Sequence, residues 1–495
     1  MHIHNYSQVI AYVNSRTGIK NTPNSNLSKI RLLLEKEIEN KKIMYGITTG
    51  FGAFKNKFIS SEETKKLQEN LIVSHAVGQG GPFDAPTVKA IILVIVNYLS
   101  KGYSGVRPIV ISTLLEMINK EVIPFVPEKG SVGSSGDLAP SAHIILVLIG
   151  KGQAYFQGTL MPGQVALQKA HMKPLVLEAK EGLALINNTA TMTANSCFAL
   201  SDAHKIIELA DIAGALSAEA LRATPKAYDA RIHKIKPHPG QIIVAKNLCQ
   251  LLAGSTMCDV NKVQDNYSIR CMPQIHGAIR EAFKYAEKIV NTELTSVTDN
   301  PLIFENKGTI EVLSGGNFHG EAVAIAMDTL GLALCEYGNV SDRRISSLLD
   351  PAINNGLPAF LAKEGGLNSG FMILQYTTAS LVSENKIFAH PASVDSIPTS
   401  ANVEDLVSMG TIAARKARTI IGNLQSILTI EIMVACQAID FRLEKGMRLG
   451  KETNKWYNKI RKVVPFFEKD DEYYPYIEKL KKYLFSTSER QDKSL

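Results

Sequence analysis

The sequence predicts a mostly α-helical fold, a long central helix bundle preceded by an N-terminal domain. Two patterns carry that prediction and a third limits it. Ser201–Arg222 places Ile206, Ile207, Leu209, Ala210, Ile212, Ala213 and Leu216 at helical spacing. Leu406–Ile439 is apolar on more than one face, the mark of a helix buried in a bundle or an oligomer interface. Strand-like alternation is scarce. Leu302–Glu305 and Thr309–Val312, around Asn306-Lys307-Gly308, predict one small hairpin.

Taken in order, Asn21–Asn26 reads as a surface loop before a helix that starts near Leu27–Lys29, and Ser486–Leu495 as a frayed end. Residues 1–198 are expected to form the N-terminal domain and 199–495 the long-helix bundle. The glycines gather at Gly46–Gly52, Gly78–Gly81, Gly130–Gly136, Gly315–Gly320 and Gly365–Gly370. In a helical protein such clusters mark loops that need unusual backbone angles or a close approach to a ligand.

Several function classes lose support at once. Hydrophobic residues make up 45% of the 495 and charged residues 20%, an ordinary globular balance. Lys+Arg is 54 against Asp+Glu 47, a weak excess of +7 with no dense basic block among aromatics. Nucleic acid is therefore not expected as a partner, while an anionic small molecule fits. Cys197, Cys249, Cys258, Cys271, Cys335 and Cys436 form no CxxC pair and lie near no His at metal-ligand spacing. They are expected to be reduced, mostly buried thiols of a cytoplasmic protein that binds no metal. Met1–Tyr12 carries no secretory pattern. The longest apolar runs, Ile91–Val96 and Ile144–Ile149, fall far short of the ~20 residues of a membrane helix, so no membrane partner is expected. Phosphate-loop (GxxxxGK[ST]), dinucleotide (GxGxxG), HExxH zinc and GxSxG elbow motifs are absent.

The informative stretch is Gly130-Ser131-Val132-Gly133-Ser134-Ser135-Gly136-Asp137-Leu138-Ala139-Pro140. Its plain reading is a loop leading into a helix, with Asp137 as N-cap or first-turn carboxylate and Pro140 in the first turn. Its chemical reading is an X-Ser-Gly tripeptide in a tight turn. A glycine nitrogen has no adjacent Cβ to block its approach to the carbonyl two residues back. Attack of the Gly136 nitrogen on the Ser134 carbonyl, loss of water and dehydration of Ser135 would give a 4-methylidene-imidazol-5-one (MIO) ring, an internal electrophile.

That segment, together with Tyr45-Gly46-Ile47-Thr48-Thr49-Gly50-Phe51-Gly52, Gly182–Asn187, Gln264–Cys271, Ser296–Pro301, Ser314–His319 and Gly356–Phe360, resembles the aromatic amino acid ammonia-lyase family over nearly the whole chain. The resemblance implies a mostly helical lyase that builds MIO from its own backbone and needs no external cofactor. It also implies a homotetramer whose active sites draw on more than one chain. The usual triplet is Ala-Ser-Gly; here it is Ser134-Ser135-Gly136. The first residue gives only its carbonyl to the ring, so Ser135 and Gly136 are expected to be the essential pair.

The resemblance also assigns roles. Tyr45 matches the base that takes the β-proton; a tyrosine titrates near ~10, so that role needs nearby positive charge or helix N-termini. Tyr267 matches a second active-site tyrosine. Arg270 matches the group that holds the substrate carboxylate, for which a planar fork suits bidentate binding. Asn187 and Gln264 match amides around the ring and the substrate's amino-acid end, where a donor aimed at the ring oxygen would act as an oxyanion hole does. Phe318 matches an aromatic beside the ring. Without the resemblance, each of these residues is more simply a loop anchor, a core aromatic, a salt-bridged arginine or a satisfied amide.

Ser74-His75, following Leu67-Gln68-Glu69-Asn70-Leu71, resembles the selectivity pair of histidine-specific members, and Glu404 matches the carboxylate they hold near the imidazole. A carboxylate is well satisfied by an imidazole N–H and poorly by a phenyl ring. The implied reaction is L-histidine to trans-urocanate and ammonia, the opening step of histidine degradation. Val403 and Leu406 stand where Gln and His flank Glu-Asp in the histidine-type pattern. Gly78-Gln79-Gly80 and Lys101-Gly102-Tyr103-Ser104 resemble tyrosine-type lyases and aminomutases. A tyrosine or phenylalanine ammonia-lyase or 2,3-aminomutase on the same scaffold therefore stays open, as does a non-catalytic helical relative.

Overall fold

The computed structural model describes residues 2–15, 17–20, 24–40, 42–44, 47–49 and 61–486. Helices dominate, as the periodicity predicts. Those that position the site are Ser61–His75 (α1), Leu138–Leu148 (α2), Glu181–Ile186 (α3), Ala190–Ala220 (α4), Met272–Leu294 (α5), Glu321–Leu349 (α6) and Gly410–Leu443 (α7). The strands are short. They form an antiparallel pair of Gln79–Pro82 with Pro127–Lys129, a three-stranded sheet of Ile123–Pro124, Gln153–Phe156 and Thr159–Pro162, and the predicted hairpin, Leu302–Asn306 with Thr309–Leu313.

Three helices begin away from their expected starts, each for a physical reason. The Ser25–Glu39 helix starts early because the side chain of Asn24 accepts the N–H of Asn26 and caps it. Helix α4 begins at Ala190, not near Ser201. Residues 191–196 look too polar for a core helix. However, Thr193, Asn195 and Ser196 return their side-chain donors to the carbonyls four residues back, at 2.7, 2.9 and 2.7 Å, and are fully buried. Helix α7 begins at Gly410, not Leu406, because Met409 takes φ +56, a left-handed angle that no helix continues through.

By contacts the chain falls into two units. The first comprises 1–201, 286–328 and 391–415; the second comprises 202–285, 329–390 and 416–495. In the first, Ile303 and Ile310 of the hairpin are buried with Ile30, Leu34, Met44, Ile47 and Ala179. Lys180 and Asp299, both fully buried, pair at 2.7 Å. Such a pair persists in low dielectric only because each charge satisfies the other.

In the second unit the long helices are joined by a buried charged network. Arg344 of α6 grips Glu431 of α7 with Nε at 2.5 Å and Nη2 at 2.9 Å. Ser217 and Ser341 donate to the same carboxylate at 2.8 and 2.6 Å. Four donors on one carboxylate satisfy its lone pairs and offset its desolvation. Asp211 of α4 takes His276 Nδ1 at 2.9 Å and Arg280 Nη2 at 2.6 Å. Burial pushes Asp211 up, but the bonds and charges of His276 and Arg280 and a bond from Asn247 hold it below the usual carboxylate range.

Among the described residues, α7 alone is long and apolar enough to cross a bilayer by length and composition, and 72% of that window is buried inside the protein. The cysteines are all free, but fewer are buried than expected. Cys197, Cys335 and Cys436 are buried, Cys258 and Cys271 half-buried, and Cys249 exposed. The last lies on the outer side of the Pro239–Leu251 helix, whose buried residues are Gly240, Gln241, Val244, Ala245 and Leu248. Among the described residues no cluster of His, Cys, Asp or Glu could hold a metal.

Candidate active site

The Gly/Ser loop enters α2 through Asp137, which occupies the N-cap position but makes no capping bond. Its carboxylate turns inward instead. Oδ1 accepts from Ser131 Oγ at 2.9 Å and from Thr411 Oγ1, and Oδ2 accepts the Met192 N–H at 2.8 Å. A fully buried carboxylate must fill its lone pairs locally, and these three donors outbid the helix terminus. Burial still pushes its pKa up.

Two glycines let the loop pass where no side chain fits. Gly136 has φ +73, and a Cβ there would sit 2.1 Å from the Asn188 carbonyl oxygen. The next residue, Asp137, donates its N–H to that oxygen at 2.6 Å. Gly133 has φ +67, and a Cβ there would meet Ser408 Oγ at 2.3 Å. The tripeptide 134–136 thus follows one left-handed glycine and ends on another, and its last nitrogen belongs to a residue pressed against α3's exit. A backbone bent at both ends, with glycine supplying the attacking nitrogen, fits the requirements of MIO formation.

Ser134 is buried and Ser135 half-buried. Asn187, at the end of α3, donates Nδ2 to the Ser135 carbonyl at 2.7 Å. Ser135 Oγ donates to Glu404 Oε1 at 2.6 Å, and Thr399 Oγ1 donates to Oε2 at 3.0 Å. Glu404 reaches this place through a tight reversal. Ser400, Ala401 and Asn402 have φ +52, +54 and +63, and the Thr399 and Glu404 backbones then pair at 2.8 and 3.3 Å.

Ser74 and His75 close α1. Ser74 Oγ donates to the Leu71 carbonyl at 3.1 Å and lies 3.0 Å from His75 Nδ1. Burial holds the His75 pKa below the usual histidine value, against the opposing pull of the Leu71 carbonyl and the Glu404 charge. Just beyond α1, the Gly78 N–H donates to His143 Nε2 at 3.0 Å, which ties this stretch to α2. Phe318 is half-buried in the loop between the hairpin and α6. Gly315 N–H donates to Asn300 Oδ1 at 2.7 Å and fixes the start of that loop. Tyr45 lies outside the described residues.

Gln264, Tyr267 and Arg270 belong to the second unit. Arg270 Nη1 donates to Gln264 Oε1 at 2.9 Å, and its guanidinium lies 4.7 Å from the centre of the Tyr267 ring. Its Nε is buried with no hydrogen-bond partner among the described residues. The three residues, with Arg343, Ser346 and Ile353, line an open groove of about 550 Å³. A guanidinium stacked on an aromatic face and lining a groove suits a carboxylate ligand.

The sequence alone missed Ser131, Asn188, Met192, Thr399, Ser408 and Thr411, which hold the loop or Glu404. Asp137 was legible in place but not in direction. The only signal for it was its position directly after the tripeptide.

Comparison with known proteins adds four findings. The family model described as "Aromatic amino acid lyase" matches residues 2–462. A histidine ammonia-lyase of Alkaliphilus metalliredigens is 53% identical over 447 residues, 90% of this chain and 87% of that protein. Among solved structures, histidine ammonia-lyase from Trypanosoma cruzi superposes with a TM-score of 0.89 at 40% identity, covering 97% of this chain and 91% of that one. The phenylalanine aminomutase of Pantoea agglomerans superposes with a TM-score of 0.92 at 34% identity, covering 97% of each.

Proposed function

Because the chain belongs to the aromatic amino acid lyase family, we propose that it is a carbon–nitrogen lyase that removes ammonia from L-histidine to give trans-urocanate. The observation that carries this reading is Ser135 itself, with Asn187 on its carbonyl and Glu404 on its hydroxyl. Closed from Ser134-Ser135-Gly136, the MIO ring would supply an electrophilic methylidene carbon, which makes an α-amine a competent leaving group.

The chain's own residues do the rest. Asn187 Nδ2 already donates to the oxygen that becomes the ring carbonyl, so it can stabilise negative charge there without rearranging. Arg270, pre-oriented by Gln264 and the Tyr267 ring, takes the substrate carboxylate in its fork. Tyr45 takes the β-proton, and Tyr267 serves proton handling beside Arg270. Phe318 packs beside the ring. Thr399 fixes Glu404 through one oxygen. Dehydration of Ser135 removes the hydroxyl from the other, which then accepts an imidazole N–H. His75, kept neutral by burial, and Ser74 complete the side-chain pocket.

The working enzyme is a cytoplasmic homotetramer with active sites shared among its chains. Supporting that, large apolar side chains lie exposed on both units. They include Val394, Val403 and Leu406 at 72%, 52% and 61%, and Ile373, Tyr376 and Ile387 at 61%, 65% and 74%. The test is turnover. Purified enzyme is given L-histidine, L-tyrosine and L-phenylalanine separately, and each product is read by its ultraviolet spectrum. Urocanate from histidine alone is the expected result. Conversion of tyrosine or phenylalanine without histidine, to an acrylate or a β-amino acid, would overturn the substrate assignment.

A further inference from the structure

Three of the donors that hold the Gly/Ser loop come from one short stretch, and they grip it on opposite sides of the tripeptide. Ahead of 134–136, Ser408 Oγ donates to the Gly133 carbonyl at 3.0 Å, and the Met409 N–H donates to the Val132 carbonyl at 2.9 Å. Behind it, Thr411 Oγ1 donates to Asp137 Oδ1, and lies 3.2 Å from Ser131 Oγ. The stretch is stiff where it makes these bonds. Met409 is held at φ +56, Ser408 Oγ accepts the Gly410 N–H at 3.3 Å, and all four residues from Ser408 to Thr411 are buried. Close packing of Gly133 against Ser408 and of Gly136 against Asn188 leaves the loop no room to straighten.

From this juxtaposition we infer that Ser408 and Thr411 are positioning residues for ring closure, a brace that fixes the separation of the two ends of the tripeptide. The inference rests on the MIO reading above. In closure, the Gly136 nitrogen bonds to the Ser134 carbonyl carbon and its proton passes to the carbonyl oxygen. The resulting hydroxyl leaves as water with the Ser135 N–H proton, forming a C=N bond. The Ser135 Cα proton and Oγ leave as a second water, forming the methylidene. No electrons are gained or lost overall, so the chain needs no partner reagent. It needs only that nitrogen and carbon be held together long enough to react. A freely relaxing loop would place them there rarely. Ser408 and Thr411 act on the closure rate and touch neither substrate nor the reacting atoms.

The experiment follows maturation rather than turnover. The full-length wild type and the variants Ser408→Ala, Thr411→Val and Thr411→Ser are made by cell-free translation. They are sampled over time for the intact mass of the chain and checked for folding by circular dichroism. The wild type is expected to lose two waters. Thr411→Val and Ser408→Ala should each slow that loss roughly tenfold, the order of one lost hydrogen bond to a buried acceptor. Thr411→Ser, which keeps the hydroxyl, should restore it. Folded Thr411→Val and Ser408→Ala chains that lose both waters at the wild-type rate would overturn the inference alone. If Thr411→Val does not fold, Ser408→Ala against wild type decides. A wild type that keeps both waters would overturn the MIO reading, and the inference with it.

Discussion

The Ser134–Gly136 loop of the first unit and the Gln264–Arg270 segment of the second are held in opposite ways. The loop is buried but for half-exposed Ser135, and is tied by Ser408, Met409, Thr411, Asn187 and Asn188. The segment is open. Tyr267 is 69% exposed, and Arg270, half-buried, donates to Gln264 and stacks on the Tyr267 ring in an open groove. The difference is the one that the two proposed roles require. A backbone that reacts with itself has to be compressed by a rigid surround, whereas a group that captures a ligand has to keep donors free and reachable.

Substitutions on the two sides should therefore fail differently. The largest effect is expected for Gly136→Ala. The new Cβ would collide with the Asn188 carbonyl at a left-handed angle, so neither water is lost and kcat falls by more than about 10³-fold. Arg270→Lys should leave the ring intact by mass yet lower kcat/KM for histidine by about 10–100-fold, mostly through KM, because a point charge replaces a fork. Equal losses of ring and affinity in both variants would break the contrast. Glu404→Gln should cost about tenfold in kcat/KM for histidine and narrow the preference over phenylalanine, measured as a ratio of the two.

The smallest effect concerns pH. His143 Nε2 accepts the Gly78 N–H, so the neutral ring is the one that fits, and burial holds its pKa below the usual value. As pH falls the unfolded chain binds the proton first. The stabilisation is whole above about pH 6.5 and fades as pH drops through the lower folded value. Urea melts at pH 7.5 and 5.5 should show a smaller drop in midpoint for His143→Gln than for wild type. Equal drops would remove His143 from the acid limb.

Much of this was legible because it is local. The hairpin announces itself through Asn306-Lys307-Gly308, and α7 through a run of apolar residues too long for a surface helix. The tripeptide is legible because the proposed ring closure asks only for X-Ser-Gly in succession. The brace is not local. Ser408 is 275 residues from Gly133, and a serine before a helix reads as an ordinary cap until the fold brings it to a carbonyl. Asp137 misleads for the same reason: its donors, Met192 and Thr411, come from distant parts of the chain. The return of the chain to the first unit at 286–328 and 391–415 has no local signature either.

The most direct test of the account is the intact mass of freshly purified, active wild-type protein, with the 134–136 peptide isolated by proteolysis. The account predicts a mass two waters below that of the sequence, with the whole deficit in that peptide. Active protein whose 134–136 peptide carries the full linear mass would contradict it.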